Sequence, residues 1–296
     1  MQQVIGEIGG SSSRWAWLRA DGSVTTWPTK GERFPGYNPM SGDGLAFTEA
    51  VKALLEERGQ EALAAEEVHV YGAGCGVELR RARMEQAIRT IWPKAKVDVS
   101  SDLTGAALGL CGTRSGLVLI LGTGMNAGYF EAGHLHCPMP SLGYLLGDEG
   151  SGADIGRNLL QDAFYGRIPT AVKEILFGPE GPLLNEILET VHRAPHPARE
   201  LAAYTARLAG HLDEPYVREP ILNRFHAMAE LLTRFFPAEQ RREVFAIRIR
   251  RLRLSGASFR MLARPRMTLS EVEADPLPGL VRYHQRPGPG AKLNPH

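Results

Sequence analysis

Asp102 stands in Ser101-Asp102-Leu103-Thr104-Gly105-Ala106, directly after the strand-like run Val97-Asp98-Val99 and at the start of an apolar helical stretch. A carboxylate at such a junction lies at the carboxyl end of a sheet strand, where open α/β sheets bind ligands. There it can accept the proton of a hydroxyl that attacks a phosphoryl group. The plainer use of the same residue is as a helix N-cap, and position alone leaves both readings open. A second acidic feature is Leu142-Gly143-Tyr144-Leu145-Leu146-Gly147-Asp148-Glu149-Gly150-Ser151-Gly152, which sets two carboxylates side by side between glycines. Such a loop can present oxygens to sugar hydroxyls or to hydrated Mg²⁺, while a helix starting at Ser151 offers N–H groups to anions. The alternative is an acidic turn closed by a capping Ser151, although the turn holds more glycines than capping requires.

Two small-residue turns accompany the carboxylates. Glu7-Ile8-Gly9-Gly10-Ser11-Ser12-Ser13 and Leu121-Gly122-Thr123-Gly124-Met125-Asn126 each follow a β-branched or leucine-rich run. Turns of this composition let backbone N–H groups and hydroxyls approach phosphate oxygens with no side chain in the way. One such turn is a common hairpin; two of them, with the acidic motifs, point to a clamp on a nucleotide's phosphates and to phosphoryl transfer.

The elements that must position these residues follow from the apolar pattern. Val4-Ile5 and Trp15-Ala16-Trp17-Leu18 read as strands around the first turn, and Val68-His69-Val70-Tyr71 as a strand ending at Gly72-Ala73-Gly74-Cys75. Phe47, Val51, Leu54 and Leu55, and then Met84, Ala87, Ile88 and Ile91, fall at helical spacing. Leu117-Val118-Leu119-Ile120-Leu121 is apolar throughout, as a strand covered on both faces would be. The alternation predicts an α/β domain to about Pro140. From Ser151 the pattern turns helical, with Ile155, Leu159, Leu160, Ala163 and Phe164 on one face and Ile221, Phe225, Met228, Leu232 and Phe235 on another.

Bulk properties exclude several classes. The 296 residues suffice for one large or two ordinary domains. The net charge of +1, from 34 basic and 33 acidic side chains, gives no general attraction to nucleic acid or to an anionic membrane. No stretch approaches the roughly 18 apolar residues of a membrane span, and Met1-Gln2-Gln3 does not open a secretory signal. Cys75, Cys111 and Cys137 fit neither a disulfide framework nor a zinc site. The expectation is a reduced, cytoplasmic protein.

In order and spacing, Glu7-Ile8-Gly9-Gly10-Ser11, Asp102 with its Ser-Asp-x-x-Gly-Ala setting, Leu121-Gly122-Thr123-Gly124-Met125-Asn126 and Gly147-Asp148-Glu149-Gly150-Ser151 resemble N-acetylglucosamine kinases. These belong to the BadF/BadG/BcrA/BcrD-type ATPases of the actin/hexokinase/Hsp70 superfamily, and the resemblance runs from about Val4 to His284. It implies an α/β fold of two ribonuclease-H-like, actin-like ATPase lobes, 1–112 and 113–284, the latter with a helical insertion, around a central nucleotide cleft. A frayed tail, 285–296, follows. The resemblance also implies ATP and Mg²⁺, with Asp102 as general base toward an amino-sugar hydroxyl. It gives Gly9, Gly10, Ser11, Ser12, Gly122, Thr123, Gly124 and Asn126 to the nucleotide, and Glu7 to the metal. Asn38, Gly74, Asp148, Glu149 and Ser151 match the sugar side, although Asn38 in Gly36-Tyr37-Asn38-Pro39 also reads as an ordinary turn residue. The implied partners are ATP and the sugar, with no nucleic acid or membrane; a homodimer stays open.

The chain departs from the family pattern in three places. Glu7 stands where many relatives carry Asp, Ser12 where they carry Lys or Arg, and Arg248 to Ser255 where a Gly-Ser-x-Ala-x-x-Phe turn packs on adenosine. From Arg248 to Arg266 there are seven arginines and no acidic residue. The segment reads as a polyanion-binding strand or as a solvated edge strand. Written with GC-rich codons and shifted by one base, however, Arg248 to Ser255 becomes Gly-Ser-Ala-Ala-Tyr-Ala-Phe, and the family-like ending returns at Met267-Thr268-Leu269. The expectation is two compensating frame changes, with codons that were chosen to fit the shifted reading. Competing functions are the ATPase that activates 2-hydroxyacyl-CoA dehydratases, which requires an iron–sulfur cluster, and a sugar or nucleotide sensor without catalysis.

Overall fold

The computed structural model describes residues 1–10, 12–29, 34–40, 44–181, 183–208, 210–247, 269–273 and 275–285. The arginine-rich segment Arg248 to Arg266 and all but the first residue of the expected tail, 285–296, lie outside the described residues. The chain divides into two compact α/β units. The first holds Met1–Arg114, the short turn Ala132–His134 and the return of the chain from Asp275; the second holds Ser115–Glu131 and the chain from Leu135 up to that return.

In the first unit a five-stranded sheet has the order β3-β2-β1-β4-β5, with β1 Gln3–Ile8, β2 Ser13–Leu18, β3 Val24–Trp27, β4 Glu67–Gly72 and β5 Lys96–Ser101. β1, β4 and β5 run parallel, and β2 and β3 run antiparallel to their neighbours. The period-2 side-chain pattern gives the sheet two apolar faces. Val4, Ile8, Val68, Val70, Val97 and Val99 join one buried cluster with Phe47, Val51 and Leu55 of α1 (Gly44–Arg58) and Met84, Ile88 and Ile91 of α2 (Glu78–Ile91). Trp15, Trp17 and Trp27 fill the same layer.

Parallel register decides where the loops emerge. Ile8 pairs with Gly72, and Gly72 pairs with Ser101, so β1, β4 and β5 end level with one another. The turns that carry Gly9, Gly74 and Asp102 therefore leave one edge of the sheet on adjacent strands, roughly 5 Å apart.

α3 (Asp102–Cys111) lies against β4 and β5 and against α10 (Leu277–Gln285). α3 and α10 touch backbone to backbone at glycines. A Cβ on Gly109 would come within 2.8 Å of the Pro276 carbonyl, and a Cβ on Gly279 would overlap the Gly109 carbonyl. Tyr71 of β4 packs on Gly105, one turn earlier on α3, and its hydroxyl bonds His284 of α10 at 2.9 Å. The chain re-enters the first compact unit at Asp275, and α10 finds its close-packing partner in α3.

In the second unit the sheet order is β10-β9-β6-β7-β8, from β6 Gly116–Leu121, β7 Met125–Glu131, β8 His134–His136, β9 Val244–Ile247 and β10 Glu271–Glu273. β6 is the central strand, which accounts for its uninterrupted apolar run; Leu117, Val118, Leu119 and Leu121 are all fully buried. The helices are α4 Gly143–Leu146, α5 Gly152–Phe164, α6 Thr170–Phe177, α7 Leu184–Arg193, α8 Pro197–Arg207 and α9 Pro215–Phe235. Ile155 and Leu159 of α5 and Ile221, Phe225, Met228 and Leu232 of α9 pack with Leu119 and Leu121 in one core. Among the described residues no helix is long and apolar enough to cross a membrane.

Candidate active site

Each unit carries its own group of candidate residues. In the first, the N-cap of α3 is Ser101, whose hydroxyl accepts the Thr104 N–H at 3.1 Å. Asp102 is therefore released from capping, which sequence position alone could not decide. It is the first helical residue, half-buried, with Oδ1 accepting the adjacent Leu103 N–H at 2.9 Å. Burial outweighs that bond and pushes the carboxyl up to about 6. A carboxylate near this value changes from acid to base close to neutral pH, which suits general-base work. Its neighbour Cys75, buried in the turn after β4, has its thiol pushed up to about 12 by burial and then by the Asp102 charge. Cys75 is an inert wall beside the carboxylate.

Gly10, Asn38 and Gly74 converge on the same edge. A Cβ on Gly10 would lie 3.8 Å from Asn38 Cβ, and one on Gly74, at φ +78°, would lie 3.2 Å from Asn38 Oδ1. Asn38 Oδ1 also accepts the Met40 N–H at 3.0 Å, so the turn use holds as well. In the turn after β1, Gly9 N–H donates to the Ser12 carbonyl at 2.9 Å and the Gly9 carbonyl accepts the Tyr37 N–H at 3.1 Å. The N–H groups of Gly10 and Ser12 donate to nothing among the described residues. Ser11 lies outside them. Glu7, on β1 two residues before Gly9, is half-buried.

The second group sits at the end of β6. Gly122 N–H donates to the Gly124 carbonyl at 2.9 Å, while the amides of Thr123 and Gly124 have no acceptor among the described residues. Half-exposed amides left unspent in a glycine turn form a concavity suited to phosphate oxygens. Asp148, at φ +63°, braces this turn: its Oδ1 accepts the Met125 N–H at 3.1 Å, and its Oδ2 would lie 2.7 Å from a Cβ on Gly124. Burial raises its carboxyl, with the charges of Glu149 and Asp154 adding to the effect. Asn126 Oδ1 turns back on the Ala127 N–H. Glu149 is half-buried and accepts no hydrogen bond among the described residues.

One expectation is corrected here. The N-terminus of α5 does not offer its amides to an anion. Gly152 N–H is bound to the Gly122 carbonyl at 2.9 Å, Ala153 N–H to the Thr123 carbonyl at 3.0 Å, and Asp154 N–H to Ser151 Oγ at 3.2 Å. Ser151, 0% exposed, is the cap of α5. The helix instead uses its free donors to fasten the acidic loop to the glycine turn.

One important residue escaped sequence reasoning. Asp154, fully buried, accepts the Gly150 N–H at 2.8 Å, Arg224 Nε at 2.6 Å, Arg157 Nη2 at 3.0 Å and Asn158 Nδ2 at 3.2 Å. It holds the acidic loop from behind. Its spacing from Ser151, Ser-x-x-Asp, is a capping-box signature that the sequence did contain; Arg224 carries no comparable signal.

Mg²⁺ takes one or two carboxylates, with waters and substrate phosphates completing its shell. Among the described residues no cluster of three His, Cys, Asp or Glu side chains forms. Glu7 or the Asp148–Glu149 pair, each beside a turn with unspent amides, fits that sparse demand.

No protein-family model matches the chain, and no curated protein sequence matches it. Among solved structures it is similar to a provisionally named N-acetylglucosamine kinase from Porphyromonas gingivalis, with TM-score 0.78 and 30% identity, covering 95% of this chain and 98% of that one. A protein of the same provisional name from Chromobacterium violaceum has TM-score 0.64 and 18% identity over 96% and 99%. The ethanolamine utilization protein EutJ from Carboxydothermus hydrogenoformans, at 0.52 and 14% over 96% and 89%, shares the fold alone.

Proposed function

Because the chain belongs to the N-acetylglucosamine kinase-like proteins of the actin/hexokinase/Hsp70 superfamily, we propose that it phosphorylates an amino sugar at the expense of ATP. The observation that carries this reading is Asp102: freed from capping by Ser101, level with the Gly9 and Gly74 turns, and raised to about 6. In the proposed reaction a sugar hydroxyl attacks the γ-phosphorus in line and Asp102 takes its proton. The bond from that phosphorus to the bridging oxygen breaks, and ADP leaves. The amides of Gly10, Ser12, Thr123 and Gly124 stabilise phosphate oxygens as charge spreads over them. Asn38, Gly74 and Glu149 hold the sugar, and Asp148 keeps the second turn in shape. Mg²⁺, held by Glu7 or the Asp148–Glu149 pair, supplies further neutralisation of phosphate charge when bound.

The test is ATP turnover against a panel of hexoses, amino sugars and N-acyl amino sugars, with the phosphorylated product identified. Sugar-dependent ADP release lost in Asp102→Asn is expected. Hydrolysis indifferent to sugar, or undiminished activity in Asp102→Asn, overturns the assignment.

A further inference from the structure

β4 turns Val68 and Val70 into the core shared with α1 and α2, so its alternate residues Glu67, His69 and Tyr71 face the other side of the sheet, where α3 and α10 pack. None of these three has a part in the phosphoryl transfer proposed above, yet they belong to one connected set of side chains. Tyr71, 4% exposed, carries α3 on its ring: a Cβ on Gly105 would come within 2.7 Å of Tyr71 Cβ. Gly105 is one turn after Asp102. At the other end of the ring, the Tyr71 hydroxyl bonds His284 Nε2 of α10 at 2.9 Å. The His284 ring lies against that of His69, with centroids 4.3 Å apart and planes at 32°. His69 in turn pairs across the strands with Asp98, its Nδ1 3.8 Å from Asp98 Oδ2 and its Nε2 3.4 Å from Glu67 Oε2.

A neutral imidazole offers a lone pair to the Tyr71 O–H; a protonated one offers none and brings a charge into the seam between α10 and the sheet. Burial, followed by the adjacent His69, holds His284 down to about 3, so the closed seam keeps it neutral. Asp98 pulls the other way. Of the remaining charged groups on the packed elements, Glu67 of β4 pairs with Lys96 of β5, and Arg14 of β2 pairs with Asp275. β1 carries Glu7, α3 carries Asp102 and α10 itself carries Arg282 and Tyr283. Once α10 lifts, His284 takes a proton with its ordinary affinity, at 6.5. The seam is therefore tightest above pH 6.5, and each pH unit from there down to about 3 favours the lifted helix roughly tenfold.

We propose that Tyr71 and His284 are positioning residues for Asp102: the hydroxyl–imidazole bond pins α10 to β4 and clamps α3 between them, which keeps the carboxylate level with the Gly9 and Gly74 turns. The inference rests on the sugar-kinase reading above. The clamp has two jaws. Gly105 rests on the Tyr71 ring, and Gly109, one turn further along α3, rests on the backbone of α10 at Pro276. A displacement of α10 is thus a displacement of α3, and Asp102 is the first residue of α3. The backbone of Tyr71 pairs with Glu7 on one side and with Ser100, next to the cap Ser101, on the other.

The experiment measures kcat, KM for ATP and for the sugar, and amide hydrogen exchange of α10, in the full chain between pH 5 and pH 8. Tyr71→Phe keeps the ring under Gly105 and removes the bond. Its kcat is expected to fall about 10- to 100-fold through misplacement of the carboxylate, with both KM values unchanged. Its α10 amides should exchange about 2- to 13-fold faster at pH 7, the worth of one neutral hydrogen bond. His284→Gln presents an amide oxygen to the same hydroxyl and cannot take a proton, so it should recover most of the kcat that His284→Leu loses. In the wild type, exchange corrected for its intrinsic pH dependence should quicken about tenfold per unit below pH 6.5, and in His284→Gln it should not. Exchange is read at α10 because Asp102 acts on global stability with the opposite sign in this window. Unchanged kcat in Tyr71→Phe, a change confined to KM, equal activity of His284→Gln and His284→Leu, or wild-type exchange indifferent to pH each overturns the positioning role and leaves the kinase reading standing. Absence of turnover with every sugar removes the kinase reading and the positioning role together.

Discussion

Replacing Asp102 by Asn should abolish turnover and make the protein more stable at the same time. The folded-state carboxyl sits at about 6 against an ordinary 3.8, so the fold binds the Asp102 proton more tightly than the unfolded chain does. Each tenfold difference in proton affinity is worth about 1.4 kcal/mol. Keeping Asp102 ionised therefore costs on the order of 3 kcal/mol as an upper value, and between 1 and 3 kcal/mol once solvent screening of this half-buried group is allowed for. The sign is fixed by linkage. Between pH 3.8 and about 6 the native state holds more protons, so stability falls as pH rises through that window, and the full cost applies above it. Asn cannot ionise and retains an oxygen for the Leu103 N–H. The difference in urea-unfolding free energy, variant minus wild type, should thus be near zero at pH 4 and climb to its plateau by pH 7. In parallel, kcat should drop about 10²- to 10⁴-fold, while wild-type kcat/KM rises with pH through about 6. A variant that is less stable at pH 7, or equally stable at pH 4 and pH 7, refutes the buried-base argument even if activity is lost.

Asp154→Ala leaves the guanidinium groups of Arg157 and Arg224 without their shared carboxylate, at an expected cost of about 3–5 kcal/mol in chemical unfolding; Arg224→Met in the same background should recover part of it. Gly279→Ala forces α10 away from the Gly109 carbonyl and should cost about 1–3 kcal/mol, with kcat reduced through displacement of the helix that bears Asp102. Gly122→Ala adds a Cβ that meets nothing within 4 Å, so an unchanged Tm with a raised KM for ATP is expected; an unchanged KM would take the phosphates away from this turn. Resequencing the gene across Arg248 to Arg266 should show compensating single-base changes, and an unbroken arginine-coding frame would end that idea.

The strands and the main helices were legible because their apolar residues repeat at the period their backbone imposes. Val4, Ile8, Val68 and Val70 alternate inward, and Ile221, Phe225, Met228 and Leu232 line one face. The glycine turns were legible for a different reason, since only small residues let so many amides stay open. What the sequence withheld is tertiary choice among equivalent local signals. Ser101 and Asp102 are both good caps, and only the chain's path gives the cap to Ser101. Arg224 is 70 residues from Asp154, and His284 is 213 from Tyr71; no local pattern marks either pairing.

The bonding at the N-terminus of α5 changes how the second unit should respond to mutation. With the amides of Gly152 and Ala153 bound to the carbonyls of Gly122 and Thr123, and the Asp148 carboxylate bound back to Met125, the glycine turn and the acidic loop share three direct bonds. Asp154 and Arg224 then tie that joined piece to α9. On the proposed reading, the phosphate and sugar contacts of this unit belong to one braced body. Loosening Asp154 should therefore raise KM for ATP and KM for the sugar together, whereas two independent loops would let one rise without the other.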